Sequence, residues 1–197
     1  MFPVSLESDR LEFTRLSRDN IDTQKLYEVL GTPNPNVDEV FRYLDFNPHQ
    51  TLKETYDFVV RAEEEWEEGE KAKYIVRPKR SEDHGGTTAG FAGLYPHWER
   101  RSATLGIVLD KPFWGNGYSS ERAEVFIEVA FDVLDLDMVA VQHIDGNRQS
   151  RRAVETYVET FNGRYEGLLR NWMAVGDEVF DCHRYSIRRE EYLQSRS

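Results

Sequence analysis

The amino-acid sequence predicts a mixed α/β protein of the α+β class, with a central sheet of about seven strands flanked by helices. In the first half, segments with helical periodicity are followed by short apolar segments with the two-residue periodicity of strands. The second half alternates helical and strand-like segments and ends on two strand-like segments joined by a turn. Segments of both kinds in this order favour one sheet covered by helices.

The first half is predicted to hold a strand, three helices and a three-stranded meander. Capping residues and apolar positions at helical spacing predict the helices, and glycine-containing turns or short charged segments separate the strands. In chain order these are a strand at 10–16, helices at 17–31, 36–46 and 51–69, and strands at 71–80, 87–98 and 102–110. Short connections predict that the last three strands pair antiparallel.

The second half begins with a glycine-containing loop and continues as helix, strand, helix and hairpin. Ala123, Phe126, Ile127 and Ala130 recur at helical spacing, which predicts an amphipathic helix directly after the loop. In chain order the remaining elements are a helix at 123–134, a strand at 138–144, a helix at 147–161 and hairpin strands at 164–175 and 179–188.

Length and composition predict one domain over 1–197, with a core at about 9–190, in a reducing compartment. The chain has 197 residues, of which 39% are hydrophobic, enough for a substantial core. The sequence has no apolar run long enough to cross a bilayer and no signal-peptide pattern at its start. Cys182 is the only cysteine, so no internal disulfide can form. We therefore expect a cytoplasmic protein that does not bind membranes.

The charge of the chain disfavours nucleic acid as a partner. The net charge is −11, and such a field repels phosphates. The chain has 19 Arg but only 6 Lys. Acidic excess with few lysines is typical of a halophilic composition, and steering of a cationic substrate is the alternative interpretation.

The stretch "KPFWGNGYSSERA", residues 111–123, carries the clearest functional signal. It lacks the lysine of a P-loop, and Ser120 stands where a dinucleotide fingerprint needs its third glycine. A loop entering a helix leaves N–H groups unpaired at the positive end of the helix dipole, and glycines let a ligand approach them. The loop therefore predicts a phosphate cradle, with a simple tight turn as the alternative.

Two motifs together resemble the GNAT superfamily of acetyl-CoA-dependent N-acetyltransferases, and most closely its Rim-type members. The first motif is Arg/Gln-x-x-Gly-x-Gly/Ala, here Trp114 to Ser119, with Trp114 in the Arg/Gln place and Gly117 as the required glycine. The second is Asn-x-x-Ser at a helix start, here Asn147 and Ser150. The resemblance spans about residues 11–189 and includes the closing hairpin.

The resemblance implies acetyl-CoA as the co-substrate, and no Cys/His cluster in the sequence suggests a metal. In this family the strand before the glycine loop and the strand at 138–144 lie side by side and then diverge around pantetheine. Backbone groups of Ile107 and Leu109 would pair with pantetheine, and Asn147 would reach the same arm. Pyrophosphate would lie on the loop formed by Trp114, Gly115, Asn116, Gly117, Tyr118 and Ser119.

The resemblance also implies direct attack of an amine on the thioester, with Ser150 as proton donor to the leaving thiolate. Val154 occupies the place of the tyrosine donor that many members use. The base glutamate of Rim-type members would fall near Met173, so Glu99 and His97 are the nearest replacements by topology. We expect an N-acetyltransferase for a peptide α-amine or a small-molecule amine, acting as a monomer or homodimer. A non-catalytic acyl-CoA-binding module is the alternative.

Overall fold

The structure, a computed structural model, describes residues 1–197 and contains one mixed sheet of eight strands in the order β1-β2-β3-β4-β5-β6-β8-β7. The strands are β1 (Ser5–Glu7), β2 (Leu11–Arg15), β3 (Ala72–Pro78), β4 (Gly90–His97), β5 (Ser102–Leu109), β6 (Met138–Ile144), β7 (Arg164–Val175) and β8 (Glu178–Arg188). This architecture confirms the predicted fold class and the antiparallel meander β3-β4-β5. The eighth strand is β1, whose three residues are too few to show a periodicity.

Six helices accompany the sheet: α1 (Thr23–Leu30), α2 (Val37–Phe41), α3 (Leu52–Glu67), α4 (Tyr118–Glu128), α5 (Arg148–Thr160) and α6 (Arg189–Ser195). The side chains of Asp22 and Thr51 cap α1 and α3 by accepting hydrogen bonds from backbone N–H groups. Helix α2 is shorter than the predicted 36–46, and α6 was not predicted. Helix α4 starts earlier than predicted and continues into a π-helical turn, Val129–Val133. No helix is long and apolar enough to cross a membrane.

Helices cover both faces of the sheet, and each face has its own apolar core. Helices α4 and α5 cover one face, hereafter the α4/α5 face, over a cluster of 31 buried residues that includes Phe13, Tyr74 and Phe126. Helices α1, α2 and α3 cover the other, the α1–α3 face, over 12 buried residues that include Ile75 and Phe91. The two faces are therefore separated by the sheet itself.

The sheet opens between β5 and β6, the one parallel pair. These strands pair only from Ser102 opposite Met138 to Thr104 opposite Ala140. Beyond that point β5 continues to Leu109 and β6 to Ile144 without pairing with each other. We call the space between these two strands the gap. It matches the divergence that the resemblance implies for the two strands beside the cofactor.

Candidate active site

The glycine loop at the open end of the gap has a backbone that only glycine adopts easily. Gly115 has a φ of +81° and Gly117 a φ of +78°. A Cβ atom on Gly115 would meet nothing within 4 Å, and one on Gly117 would approach only the Arg10 Nη2 atom, at 3.5 Å. The outer side of the loop is therefore open to a ligand.

Five consecutive backbone N–H groups of this loop, from Gly115 to Ser119, donate no hydrogen bond within the protein. The first N–H groups to turn back are those of Ser120 and Glu121, which donate to the Gly117 carbonyl at 3.1 and 3.2 Å. The unpaired groups lie at the N-terminus of α4, where the helix dipole is positive. This arrangement suits a diphosphate, as the sequence predicts for Gly115, Asn116, Gly117, Tyr118 and Ser119. Tyr118 offers only its backbone, because its ring is buried under Arg10.

The backbone of β5 presents free groups to the gap. The Asp110 N–H donates to the Ala89 carbonyl at 2.8 Å, so residue 110 turns its N–H toward β4. Strand residues alternate in direction, and the N–H groups of Ile107 and Leu109 therefore point toward the gap. The Leu109 carbonyl already accepts a hydrogen bond from the Trp114 indole at 2.8 Å. Trp114 thus braces the loop against β5, and an amide-containing ligand could pair with Ile107.

The start of α5 positions the second predicted motif beside the gap. The Asn147 Oδ1 atom accepts a hydrogen bond from the Ser150 N–H at 3.0 Å and so caps the helix. The amide nitrogen of Asn147 and the hydroxyl of half-buried Ser150 have no hydrogen-bond partner in the protein. Both groups are available to a ligand.

The two candidate bases lie near the closed end of the gap. His97 pairs with Ser102 in the β4–β5 ladder, and its Nε2 atom is 2.9 Å from the Thr104 hydroxyl, beside the last pair before the strands diverge. Glu99 lies further away, exposed in the 3-10 turn Trp98–Arg100, without a hydrogen bond or ion pair. The length of β6, about 20 Å for its seven residues, separates this end from the start of α5. The structure therefore does not bring Glu99 and Ser150 together.

Tyr95 is a candidate that the sequence analysis missed. Its phenol lies flat on the α1–α3 face over two facing strand glycines, and a Cβ atom on Gly93 would come within 2.0 Å of its hydroxyl oxygen. Gly106 is the second residue of β5 beyond the last β5–β6 pair, so this phenol borders the gap. Burial raises the pKa of Tyr95 to about 12, which keeps the hydroxyl protonated, and it has no partner in the protein. The two glycines inside strands were the available signal.

Two further polar side chains beside the gap lack partners. The buried Oε1 atom of Gln142, on the part of β6 that has separated from β5, accepts no hydrogen bond. Gln142 is two residues beyond Ala140, the partner of Thr104, and so it shares the α1–α3 face with Tyr95. On the α4/α5 face, the Nε and Nη1 atoms of buried Arg122 are also unpaired. Unpaired buried polar groups are rare in proteins, so each of these side chains is a candidate to meet a ligand.

The remaining cysteine and acidic residues do not extend the site. Cys182 is a fully buried free thiol on β8, and burial raises its pKa. A raised pKa makes the thiol a poor nucleophile. No group of three or more His, Cys, Asp or Glu side chains is placed to hold a metal ion.

Comparisons with known proteins agree with this geometry. A family model described as an acetyltransferase (GNAT) domain matches residues 10–157. The uncharacterized N-acetyltransferase p20 of Bacillus licheniformis is 22% identical over 188 residues, covering 95% of this chain and 98% of that protein. The self-immunity acetyltransferase MccE, solved with acetyl-CoA and AMP, superposes with a TM-score of 0.81 at 14% identity, covering 95% of this chain and 97% of that one. Spermidine N-acetyltransferase from Vibrio cholerae, solved with CoA and spermine, gives a TM-score of 0.72 at 16% identity, over 93% and 98% of the two chains.

Proposed function

Because this chain belongs to the GNAT family of N-acetyltransferases, we propose that it moves an acetyl group from acetyl-CoA to a primary amine by direct attack on the thioester. The family assignment confirms the prediction of an N-acetyltransferase. The observation that carries the proposal is the row of five unpaired N–H groups at the head of α4, beside a gap with free strand backbone.

The cofactor would lie along the gap with its two ends held differently. N–H groups of Gly115 to Ser119 would hold the diphosphate, and the free backbone of Ile107 would pair with the amides of the pantetheine arm. Asn147 would donate its free amide hydrogens to the same arm. Arg148 and Arg152, which form no ion pair within the protein, extend the positive region at the start of α5, whereas Arg151 is paired with Glu155. The bound cofactor supplies the activated acetyl group, and these residues fix its position.

The amine would arrive from the α1–α3 face. On the opposite face α4 and α5 pack over the gap, and the side chains of Arg122 and Tyr157 there are almost completely enclosed. On the α1–α3 face the gap is bordered by half-buried Tyr95 and Gln142, whose unpaired polar atoms can orient an amine. Of the two candidate bases, His97 contacts the closed end of the gap through its hydrogen bond with Thr104. Glu99 lies further away and would need a chain of water molecules to take up the proton of the amine. Ser150 remains the proposed proton donor.

Several finer properties complete the proposal. Two classes of acceptor suit a gap that is open on one face: the α-amine of a peptide, as in Rim-type members, and a small-molecule amine.

The single buried thiol supports a cytoplasmic enzyme. The net charge of −11 supports either a halophilic composition or attraction of cationic amines. We expect one domain over 1–197 and a monomer or homodimer.

The proposal is tested by incubating the protein with acetyl-CoA and a panel of amines and following release of free thiol. The panel holds peptides with free α-amines and small amines, polyamines included. We expect turnover with at least one class, and Ser150→Ala to lower it. Binding of acetyl-CoA without turnover for any amine would contradict the proposed activity.

A second experiment tests the loop directly. Gly117→Val should weaken CoA binding about tenfold or more, because a branched side chain cannot adopt a φ of +78° without distorting the cradle. Gly176→Val is the matched control, since Gly176 also has positive φ and open space but lies in the β7–β8 turn. Calorimetry with CoA should separate the two variants, and equal affinities would contradict the cradle.

A further inference from the structure

Arg122 is an unpaired cation enclosed beside the gap. It lies on the inner side of α4, one turn after the glycine loop, and only 2% of the residue is exposed. Its Nε and Nη1 atoms are buried without a partner, and no other atom of the side chain forms a hydrogen bond or ion pair. A buried arginine normally has a carboxylate or carbonyl partner. The partner of Arg122 is therefore missing from the protein itself.

The surroundings of Arg122 do not neutralise its charge. The guanidinium lies over the Phe126 ring, 5.6 Å from its centroid. Burial lowers the pKa of Arg122, and the groups that oppose this shift are the phenols of Tyr157 and Tyr95. Burial raises the pKa of both phenols to about 12, so at neutral pH they are uncharged. No carboxylate takes part, although the chain is strongly acidic.

The position of Arg122 connects this charge to the gap. Tyr157 lies on α5 and Tyr95 lies over Gly106 on the other side of the sheet, and the charge of Arg122 acts on both. Arg122 and Tyr95 thus face β5 from opposite sides near Gly106, where the strand has no side chain and has just separated from β6. On the Arg122 side of this stretch, β5 carries the side chains of Leu105 and Ile107, which pack in the apolar cluster of the α4/α5 face. The cation therefore lies in an apolar layer over the part of β5 that borders the gap.

We propose that Arg122 is a further catalytic residue, which binds the thiolate of CoA as it forms. This inference rests on the proposed function. In the transfer, the amine nitrogen forms a bond to the acetyl carbon and the carbon–sulfur bond breaks with its electron pair on sulfur. The amine proton leaves to a base or solvent, and Arg122 remains protonated throughout. The thiolate forms against Arg122 first and then takes up a proton, for which Ser150 is the proposed donor. The phosphates would lie on the loop, and the reaction itself creates two anions in the gap, first the tetrahedral oxyanion and then the thiolate. Of these two, the thiolate is the anion that the released cofactor keeps.

The arginine suits this role for electrostatic reasons. A cation in an enclosed, apolar place interacts with a developing anion far more strongly than it would in water. No carboxylate of the protein competes for its donors, so little reorganisation of the protein is needed when the charge appears. An uncharged thioester gains less from it than a thiolate, and this difference is what lowers a barrier.

The test compares the binding of CoA and of desulfo-CoA, which lacks the thiol, by calorimetry at about pH 7 and about pH 9.5. In the wild type, the affinity ratio of CoA to desulfo-CoA should rise about tenfold over this range, because Arg122 favours the thiolate. Arg122→Met and Arg122→Gln should abolish the rise, and Arg122→Lys, which keeps the charge, should retain part of it. Desulfo-CoA affinity should be the same in all four proteins. The two neutral variants serve as alternatives should one of them fold poorly.

The outcomes distinguish this inference from the function on which it rests. An equal rise of the ratio in the wild type and in a folded neutral variant would overturn the role of Arg122 while leaving acetyl transfer intact. A uniform loss of affinity for both ligands in Arg122→Met would also overturn it, since that result indicates a structural role. Failure of the wild type to bind CoA would overturn the proposed function itself.

Discussion

Two buried cations lie on opposite faces of the sheet, and they differ in what surrounds them. Lys73, on β3 at the α1–α3 face, is 8% exposed and forms an ion pair with the buried carboxylate of Glu65 on α3. Arg122, at the α4/α5 face, is 2% exposed and is paired with nothing. Burial of a charge is tolerated in a stable fold when a partner compensates it. Lys73 is therefore part of the fold, whereas Arg122 is complete only with a ligand.

The largest expected effect comes from removing the partner of Lys73. Burial alone would raise the pKa of Glu65, but hydrogen bonds from Lys71 and Lys73 hold it below its ordinary value, so the carboxylate is charged in the fold. Glu65→Ala leaves Lys73 buried and unpaired, and we expect a loss of about 3–5 kcal/mol in the free energy of unfolding. Urea denaturation measures this loss.

The neighbouring residue provides the control for that change. Glu64 is exposed on the same turn of α3, and Glu64→Ala should change the free energy of unfolding by less than about 0.5 kcal/mol. Equal effects of the two substitutions would mean that the buried pair contributes no more than a surface charge. The difference between Lys73 and Arg122 would then have no energetic meaning.

The second prediction is a gain in the free energy of unfolding, where the first is a loss. Arg122→Met removes an uncompensated charge and leaves an apolar side chain beside Phe126, so the free protein should gain about 1–3 kcal/mol in stability. Urea denaturation without ligand measures the gain. A loss of several kcal/mol would show that the arginine is a structural member of the core, like Lys73, and would remove the physical basis for a ligand-binding role.

The glycine loop and Arg122 show how much of the candidate site the sequence alone predicts. The free backbone groups of the glycine loop were predicted, because the spacing of Gly115 and Gly117 before a helical segment indicates a turn that leaves consecutive N–H groups unpaired. Arg122 could not be predicted, because it occupies a helical position between Tyr118 and Phe126 and is one of 19 arginines. Its burial depends on the packing of α4 against α5, and its lack of a partner depends on side chains distant in sequence.

The acceptor side shows the same limit for strands. Glu99 was selected by topology, but the turn at the end of β4 carries it past the closed end of the gap. Tyr95, four residues earlier, lies over Gly93 and Gly106 only because β4 and β5 pair in one register. Register is fixed by the whole sheet, so the sequence predicted the strand and not the position of its phenol.

His143 on β6 is a third buried basic side chain, and unlike Lys73 and Arg122 it is uncharged at neutral pH. It is 4% exposed, stacks on His183 with ring centroids 4.9 Å apart, and its Nε2 atom has no partner. Burial lowers its pKa below the ordinary value of 6.5, and the charges of nearby His183 and Arg151 add to this, against the backbone hydrogen bond to Ile144 and the charge of Glu155. The unfolded state therefore takes up the proton first. Stability is fully present above about pH 6.5 and is lost as the pH falls toward the folded value, by at most about 1.4 kcal/mol per pH unit.

The measurement is the free energy of unfolding between about pH 7.5 and about pH 5.5, above the range where carboxylates titrate. His143→Phe keeps an aromatic ring against His183 and should reduce the acid-side loss of stability relative to the wild type. A His143→Phe variant with an unchanged slope would mean that this imidazole takes up its proton as readily in the fold as in the unfolded chain, so that its burial does not oppose the charge.

The smallest effect on stability is expected at Ser150, which is also unpaired but is uncharged and only half-buried. Its hydroxyl forms no hydrogen bond in the protein, and the cap of α5 uses its backbone N–H instead. Ser150→Ala should therefore change the free energy of unfolding by less than about 0.5 kcal/mol while lowering turnover. Asn147→Ala, which removes the cap itself, should cost about 1 kcal/mol. If Ser150→Ala destabilised the protein as much as Asn147→Ala, its hydroxyl would belong to the helix start rather than to the reaction.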